Sequence, residues 1–88
     1  MSTLNIQSGD LVIISLPACY VRDQFPLYTR LTRNGNIDMD QESGNFSAVA
    51  GALVLEVRAR RGRWPCVKVT VSGCVGWLSV LLMKLEPR

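Results

Sequence analysis

Four arginines, Arg58, Arg60, Arg61 and Arg63, fall within six residues around Gly62. Guanidinium groups hold phosphate or carboxylate through paired N–H donors, and a glycine among them lets the backbone come close. The cluster therefore reads as a contact for phosphates, a contact for an acidic protein patch, or a solvated turn. A second constellation is acidic: Asp38, Asp40 and Glu42 put a carboxylate at every second position. That spacing suits a calcium loop, but no bidentate glutamate follows at the required place, so no metal site is expected. Three cysteines, Cys19, Cys66 and Cys74, form no C-x-x-C pair and signal neither a disulfide framework nor a zinc site. Their odd number, with Cys66 and Cys74 on opposite strand parities, predicts unpaired thiols, because side chains on opposite faces are not easily bridged.

Catalysis is poorly supplied. The chain has no histidine, which removes the commonest general base and the usual metal ligand together. No Ser, Thr or Cys has a histidine to activate it, and no pair of carboxylates stands at a defined spacing. The expectation is a non-enzymatic protein with no catalytic residues and no cofactor. What remains is binding chemistry. Trp64 and Trp77 belong to neighbouring strands and read either as an exposed indole pair or as packing at a rim. Tyr20, Phe25, Tyr28 and Phe46 fall in residues 17–50 and are more aromatic anchors than the thin core of that segment requires.

These groups must be positioned by a single domain, residues 1–88, since chains divide into separately cored units only at about 250 to 300 residues. Hydrophobic residues make up 48% of the chain, enough for a core. Charge is polarised: residues 1–44 carry three basic and five acidic side chains, residues 45–88 seven and two. The first nine residues show no cationic stretch followed by an apolar core, and the longest apolar runs are about half a bilayer span. With reduced thiols, this predicts a cytoplasmic or virion setting and no membrane partner.

Asp10 to Leu16, D-L-V-I-I-S-L, is β-branched, entered through Gly9 and stopped by Pro17, and reads as a strand. Residues 17–50 lose periodicity and form a long excursion, within which a short hairpin is expected from Leu27 to Thr32, turning at Asn34-Gly35. Ala52 to Ala59 alternates so that Leu53, Leu55 and Val57 share one face. The arginine turn then leads to Val67, Val69 and Val71 on one face. Ser72-Gly73 is a two-residue turn pairing Val71 with Cys74, and the chain returns through Gly76, Trp77 and Leu78. A helical turn over 79–83 and a last strand at Lys84-Leu85-Glu86 complete the reading. The predicted core is Leu53, Leu55, Val57, Val67, Val69 and Leu78, on one parity of three strands.

The stretch from Trp64 to Leu85, W-P-C-V-K-V-T-V-S-G-C-V-G-W-L-S-V-L-L-M-K-L, is similar to the closing half of Src-homology-3 (SH3) and bacterial SH3-type domains. Trp64, Val67, Gly73, Gly76-Trp77-Leu78 and Leu82 or Leu85 take the places of the family's strand-opening tryptophan, valine, turn glycine, Gly-aromatic-aliphatic triplet and terminal leucine. Gly51 to Val57 resembles the preceding strand. The G-D-L-V opening and the body Gly51-x-x-Val54-Leu55-Glu56-Val57 resemble small SH3-like proteins of tailed bacteriophages. Residues 9–17 are also similar to the opening of SH3-like toxin endoribonucleases, but the match stops there.

The resemblance implies an all-β fold, a small five-stranded SH3-like barrel with a long irregular excursion between the first strand and the C-terminal meander. Closure of such a sheet also follows from short alternating strands that need to bury one face and hide their edges. The proline and tyrosine of the peptide groove in SH3 domains would fall near Ser79 and Leu82 and are missing, so a proline-rich ligand is not expected. The resemblance implies instead a virus-encoded accessory protein, an interaction module docking on a virion component or a host protein. The expected contact residues are Phe25, Tyr28 and Trp77 as anchors, with Arg60, Arg61 and Arg63 as a polar rim. A second copy, offering its Asp38, Asp40, Glu42 loop to the arginines, is another partner, and nucleic acid bound through the Arg58 to Arg63 turn is the alternative function.

Overall fold

In a computed structural model, residues 6–16, 23–60, 63–80 and 84–87 are described. Seven strands follow in chain order: β1 (Leu11–Ser15), β2 (Gln24–Tyr28), β3 (Glu42–Ser47), β4 (Ala50–Arg60), β5 (Arg63–Val71), β6 (Cys74–Ser79) and β7 (Lys84–Pro87). They form one sheet in the order β3-β2-β6-β5-β4-β1-β7. Every neighbouring pair is antiparallel. The all-β expectation holds, and the described residues contain no helix. The strand number differs from five because the excursion contributes β2 and β3. The sheet is open, with β3 and β7 as its two edges.

Open does not mean flat. Seven strands about 4.8 Å apart would lie about 29 Å wide in a layer about 10 Å thick, whereas the molecule measures 29 × 29 × 27 Å. Three strands separate β1 from β2, yet Val12 and Ile14 of β1 share one cluster with Phe25 and Leu27 of β2. Only a strongly coiled sheet brings those side chains together. The cluster is completed by Ile6, Ala52, Val54, Val67, Val69, Val71 and Leu78.

The hairpin of β5 and β6 is as the pattern predicts. Val71 pairs with Cys74, and the two turn residues both have positive φ, +51° at Ser72 and +84° at Gly73. Those values match the twist of the flanking strands, which is why a two-residue loop joins them. Val67, Val69 and Leu78 point inward as expected.

On β4 the predicted face is wrong for two residues. Val54 pairs with Val69, but Glu56 pairs with Lys68, so Leu55 is an extra residue in the ladder. A bulge puts two residues opposite one and reverses the inward parity beyond it. Ala52 and Val54 therefore enter the core before the bulge and Val57 packs against it afterwards, while Leu53 is half-buried and Leu55 is 37% exposed on the far side. Gly9 N–H donates to Val54 O at 2.8 Å, and Ser8 Oγ donates to Leu55 O at 2.8 Å, so the approach to β1 is tied to the bulge itself.

The excursion is a ribbon, displaced from the predicted hairpin. β2 begins at Gln24 rather than Leu27, and the turn falls at Asn34-Gly35, with Gly35 at φ +82° and an inner bridge between Leu31 and Ile37. β2 joins the rest of the sheet through one register pair, Tyr28 with Trp77. With β6 absent along most of its length, β2 tolerates Pro26, which has no N–H to give to a neighbour. The joint needs a glycine: a Cβ on Gly76 would lie 2.6 Å from Leu27 Cβ and 3.1 Å from Tyr28 O. β7 returns to β1, pairing Val12 with Pro87 and Ser15 with Lys84. The helical turn expected over 79–83 falls mostly outside the described residues, as does Cys19.

Candidate functional site

Alternation along the strands gives the coiled sheet a second face, turned away from the core, and register locates its side chains in rows. One row runs Leu11, Leu53, Thr70, Val75 across β1, β4, β5 and β6. Leu11 is 55% and Val75 43% exposed, with Leu53 and Thr70 half-buried between them. The bulge adds Leu55 beside them. The row carries no charge and no aromatic ring. Three of the five large exposed hydrophobic side chains among the described residues, Leu11, Leu55 and Val75, lie here; the other two are Met39 and Val49.

The neighbouring row is polar and aromatic: Glu56, Lys68, Trp77 and Tyr28, from β4, β5, β6 and β2. Arg58 Cζ stands 5.5 Å from the centroid of the Trp77 ring and Lys68 Nζ 5.9 Å from it. Both are within cation–π range, an attraction of about 0.5–1 kcal/mol at exposed sites. Arg58 Nε also donates to Glu56 Oε2 at 2.7 Å. Both of those side chains are substantially exposed, so the ion pair adds only about 0–1 kcal/mol and serves mainly to aim the guanidinium.

The expected contact residues are divided by this geometry. Phe25 has 0% exposure and faces Phe46 with ring centroids 6.0 Å apart. It is a core side chain, and the anchor role expected of it has no surface to act through. Trp77 is 6% exposed under its two cations, and Tyr28 is its half-buried register partner. Arg60 pairs with Arg63 in the β4–β5 ladder. The side chains of both, and Arg61 entirely, lie outside the described residues, as does the side chain of Trp64.

The acids of the excursion are used locally. Asp38 Oδ2 accepts from Arg30 Nε at 3.0 Å, Asp38 Oδ1 accepts from the Asp40 N–H at 3.1 Å, and Glu42 accepts from the Asn45 side chain. Among the described residues no three Cys, Asp or Glu side chains form a group able to hold a metal ion. The register pairs Cys66 with Ser79 and Cys74 with Val71, which puts the two cysteines on opposite faces as predicted; Cys66 is buried and Cys74 exposed.

The sequence does not reveal the apolar row, because its alternation places Leu53 and Leu55 in the core. Nothing in A-L-V-L-E-V marks which residue doubles in the ladder. A signal did exist in β1, where Leu11, Val12, Ile13 and Ile14 give more apolar positions than one face can use. No helix among the described residues is long and apolar enough to cross a membrane. No family model, no curated protein and no solved structure matches this chain.

Proposed function

We propose that the chain is a non-enzymatic protein–protein interaction module built on a small SH3-like barrel, and that it docks through the outward face of the sheet. The observation that carries this reading is the uncharged row Leu11, Leu53, Thr70, Val75, continuous over four strands and exposed at both ends. Contiguous apolar surface rimmed by polar groups is characteristic of interaction sites. The barrel reading is supported by the five strands β1 and β4 to β7, with the β2–β3 ribbon inserted after the first, and by the single core that the coiled sheet surrounds. The partner we favour is a virion component or a host protein, for an accessory protein of the kind tailed bacteriophages encode.

Arg58 and Lys68 on the same face favour nucleic acid as the second reading. Capture of partners from the native source with wild type and with Leu11→Ser/Val75→Ser, followed by a salt titration, tests both. The interaction-module reading expects the captured protein to be lost with the double variant and its affinity to change little with salt. Affinity for duplex DNA or RNA that falls steeply with salt and is unaffected by the double variant would replace it with the phosphate reading.

A further inference from the structure

We infer that the protein partner of the outward face brings a carboxylate to Arg58 and Lys68, held about 7 Å from the side chains with which it covers the neighbouring apolar row. The inference names the chemistry of that partner and rests on the interaction-module reading. The face is the convex side of a sheet coiled around its core, so the partner closes over it from a concave surface. The wall of that surface beside the apolar row is where the acid belongs.

Beside Trp77 stand two cations and one acid, Arg58, Lys68 and Glu56. Glu56 lies opposite Lys68 in the register, where a cross-strand ion pair would be ordinary, yet the salt bridge it makes is with Arg58. Among the described residues no carboxylate is in salt-bridge contact with Lys68, whose ammonium stands over the Trp77 ring instead. One positive charge is therefore in excess. Arg58 gives Nε to Glu56 at 2.7 Å, and its side chain is 57% exposed. A guanidinium has five N–H donors in a planar fork, so the Nη edge can take a second carboxylate in the paired geometry. Trp77, 6% exposed, is the apolar floor on which both cations rest.

Three features favour a protein carboxylate over a nucleic-acid backbone. Glu56 sits among the cations and repels a run of phosphates. The adjoining row is uncharged from Leu11 to Val75, so the positive potential does not continue across the face. Trp77 is buried and offers no surface on which a base could stack. The spacing suits a protein as well: Lys68 and Thr70 are alternate residues of β5, about 6.8 Å apart, so the anion site adjoins the centre of the apolar row. Alternate side chains of an extended segment have the same spacing, one apolar on Leu53 and Thr70 and the next acidic. Charge placed beside an apolar strip fixes the orientation of the partner, and a single carboxylate keeps the salt dependence shallow where a run of phosphates would make it steep.

Titration of the full chain with three short capped peptides, leucine alternating with aspartate, with serine or with lysine, followed by amide NMR up to about 10 mM peptide, tests the inference. The aspartate peptide is expected to shift the amides of Arg58, Lys68 and Trp77 and to bind about fivefold or more tighter than the serine peptide, the size of an exposed ion pair. Arg58→Gln should remove that preference, and Lys68→Glu should turn it towards the lysine peptide, each with the remaining amide spectrum unchanged. No preference for aspartate over serine overturns the inference, as does a preference that survives both substitutions or the absence of binding by any peptide. Duplex DNA that displaces the aspartate peptide with a steep salt dependence overturns it in favour of phosphate. Serine-peptide binding that is lost in Leu11→Ser/Val75→Ser leaves the interaction-module reading standing with a partner of other chemistry, and where no peptide binds, that reading is decided separately by partner capture with the same double variant.

Discussion

The β4–β5–β6 meander and the β2–β3 ribbon are both built from antiparallel hairpins, but they are held in the molecule by different means. In the meander, β5 and β6 match over six successive register pairs, from Cys66 with Ser79 to Val71 with Cys74, through a two-residue turn. The ribbon meets the sheet at Tyr28 with Trp77 and otherwise depends on Phe25 and Leu27 reaching the common core past Gly76. Backbone pairing carries the first and side-chain insertion the second. A hairpin stabilised by pairing distributes its energy along the ladder, whereas one stabilised by two inserted side chains concentrates it.

Phe25→Ala should therefore have the largest effect. It removes a fully buried ring from a site that adjoins Phe46, and its cost is expected at about 3–5 kcal/mol in a urea titration. Amide exchange on the same variant should accelerate over residues 24–47 well beyond β5 and β6. Uniform acceleration through both regions would show that ribbon and meander open as one unit.

A smaller contrast tests which face of β4 the meander buries. Val54→Ala should cost about 2 kcal/mol, because Val54 is 1% exposed and the methyl groups lost leave a cavity. Leu55→Ala should cost less than about 1 kcal/mol, since its side chain projects outward. A larger cost for Leu55→Ala than for Val54→Ala would mean that Leu55 faces the core, as the alternation of the sequence has it.

That contrast bears on what the sequence could tell. Val67, Val69, Val71 and the Ser72-Gly73 turn were legible because β-branched alternation and turn chemistry are local and agree with each other. The β4 bulge was not, since both parities of A-L-V-L-E-V offer apolar residues and only the partner strand decides between them. The sequence puts the start of β2 three residues late because Q-F-P-L-Y contains a proline that normally argues against a strand, and its tolerance depends on the missing neighbour. The sequence does not show the burial of Phe25 for a related reason: it comes from Phe46 and from the common core cluster, residues distant in the chain. The outward site followed the same fate as the bulge, while Trp77 and its strand were found and its two cations were not.

The smallest effect lies at the turn that defines the meander. Ser72 holds φ +51° with a side chain that makes this region costly, and asparagine is preferred there ahead of glycine. Ser72→Asn is expected to raise stability by about 0.5–1 kcal/mol in thermal or urea unfolding. A destabilised variant would show that Ser72 has a role beyond turn geometry.

The place of β1 between β4 and β7 sets an order in time. Its ladders join Ile14 to Ala50 and Val12 to Pro87. Loop-closure entropy grows as the logarithm of the span, so bringing residues 12 and 87 together directly costs about 3 kcal/mol more than closing a two-residue turn. Once the meander exists, β1 has β4 as a template and needs only the excursion to close. β7 pairs with β1 alone among the described strands, so its edge does not exist until β1 has docked. The strand nearest one end of the chain thus waits for the strand nearest the other, and the sheet is completed at the place where the sequence is farthest apart.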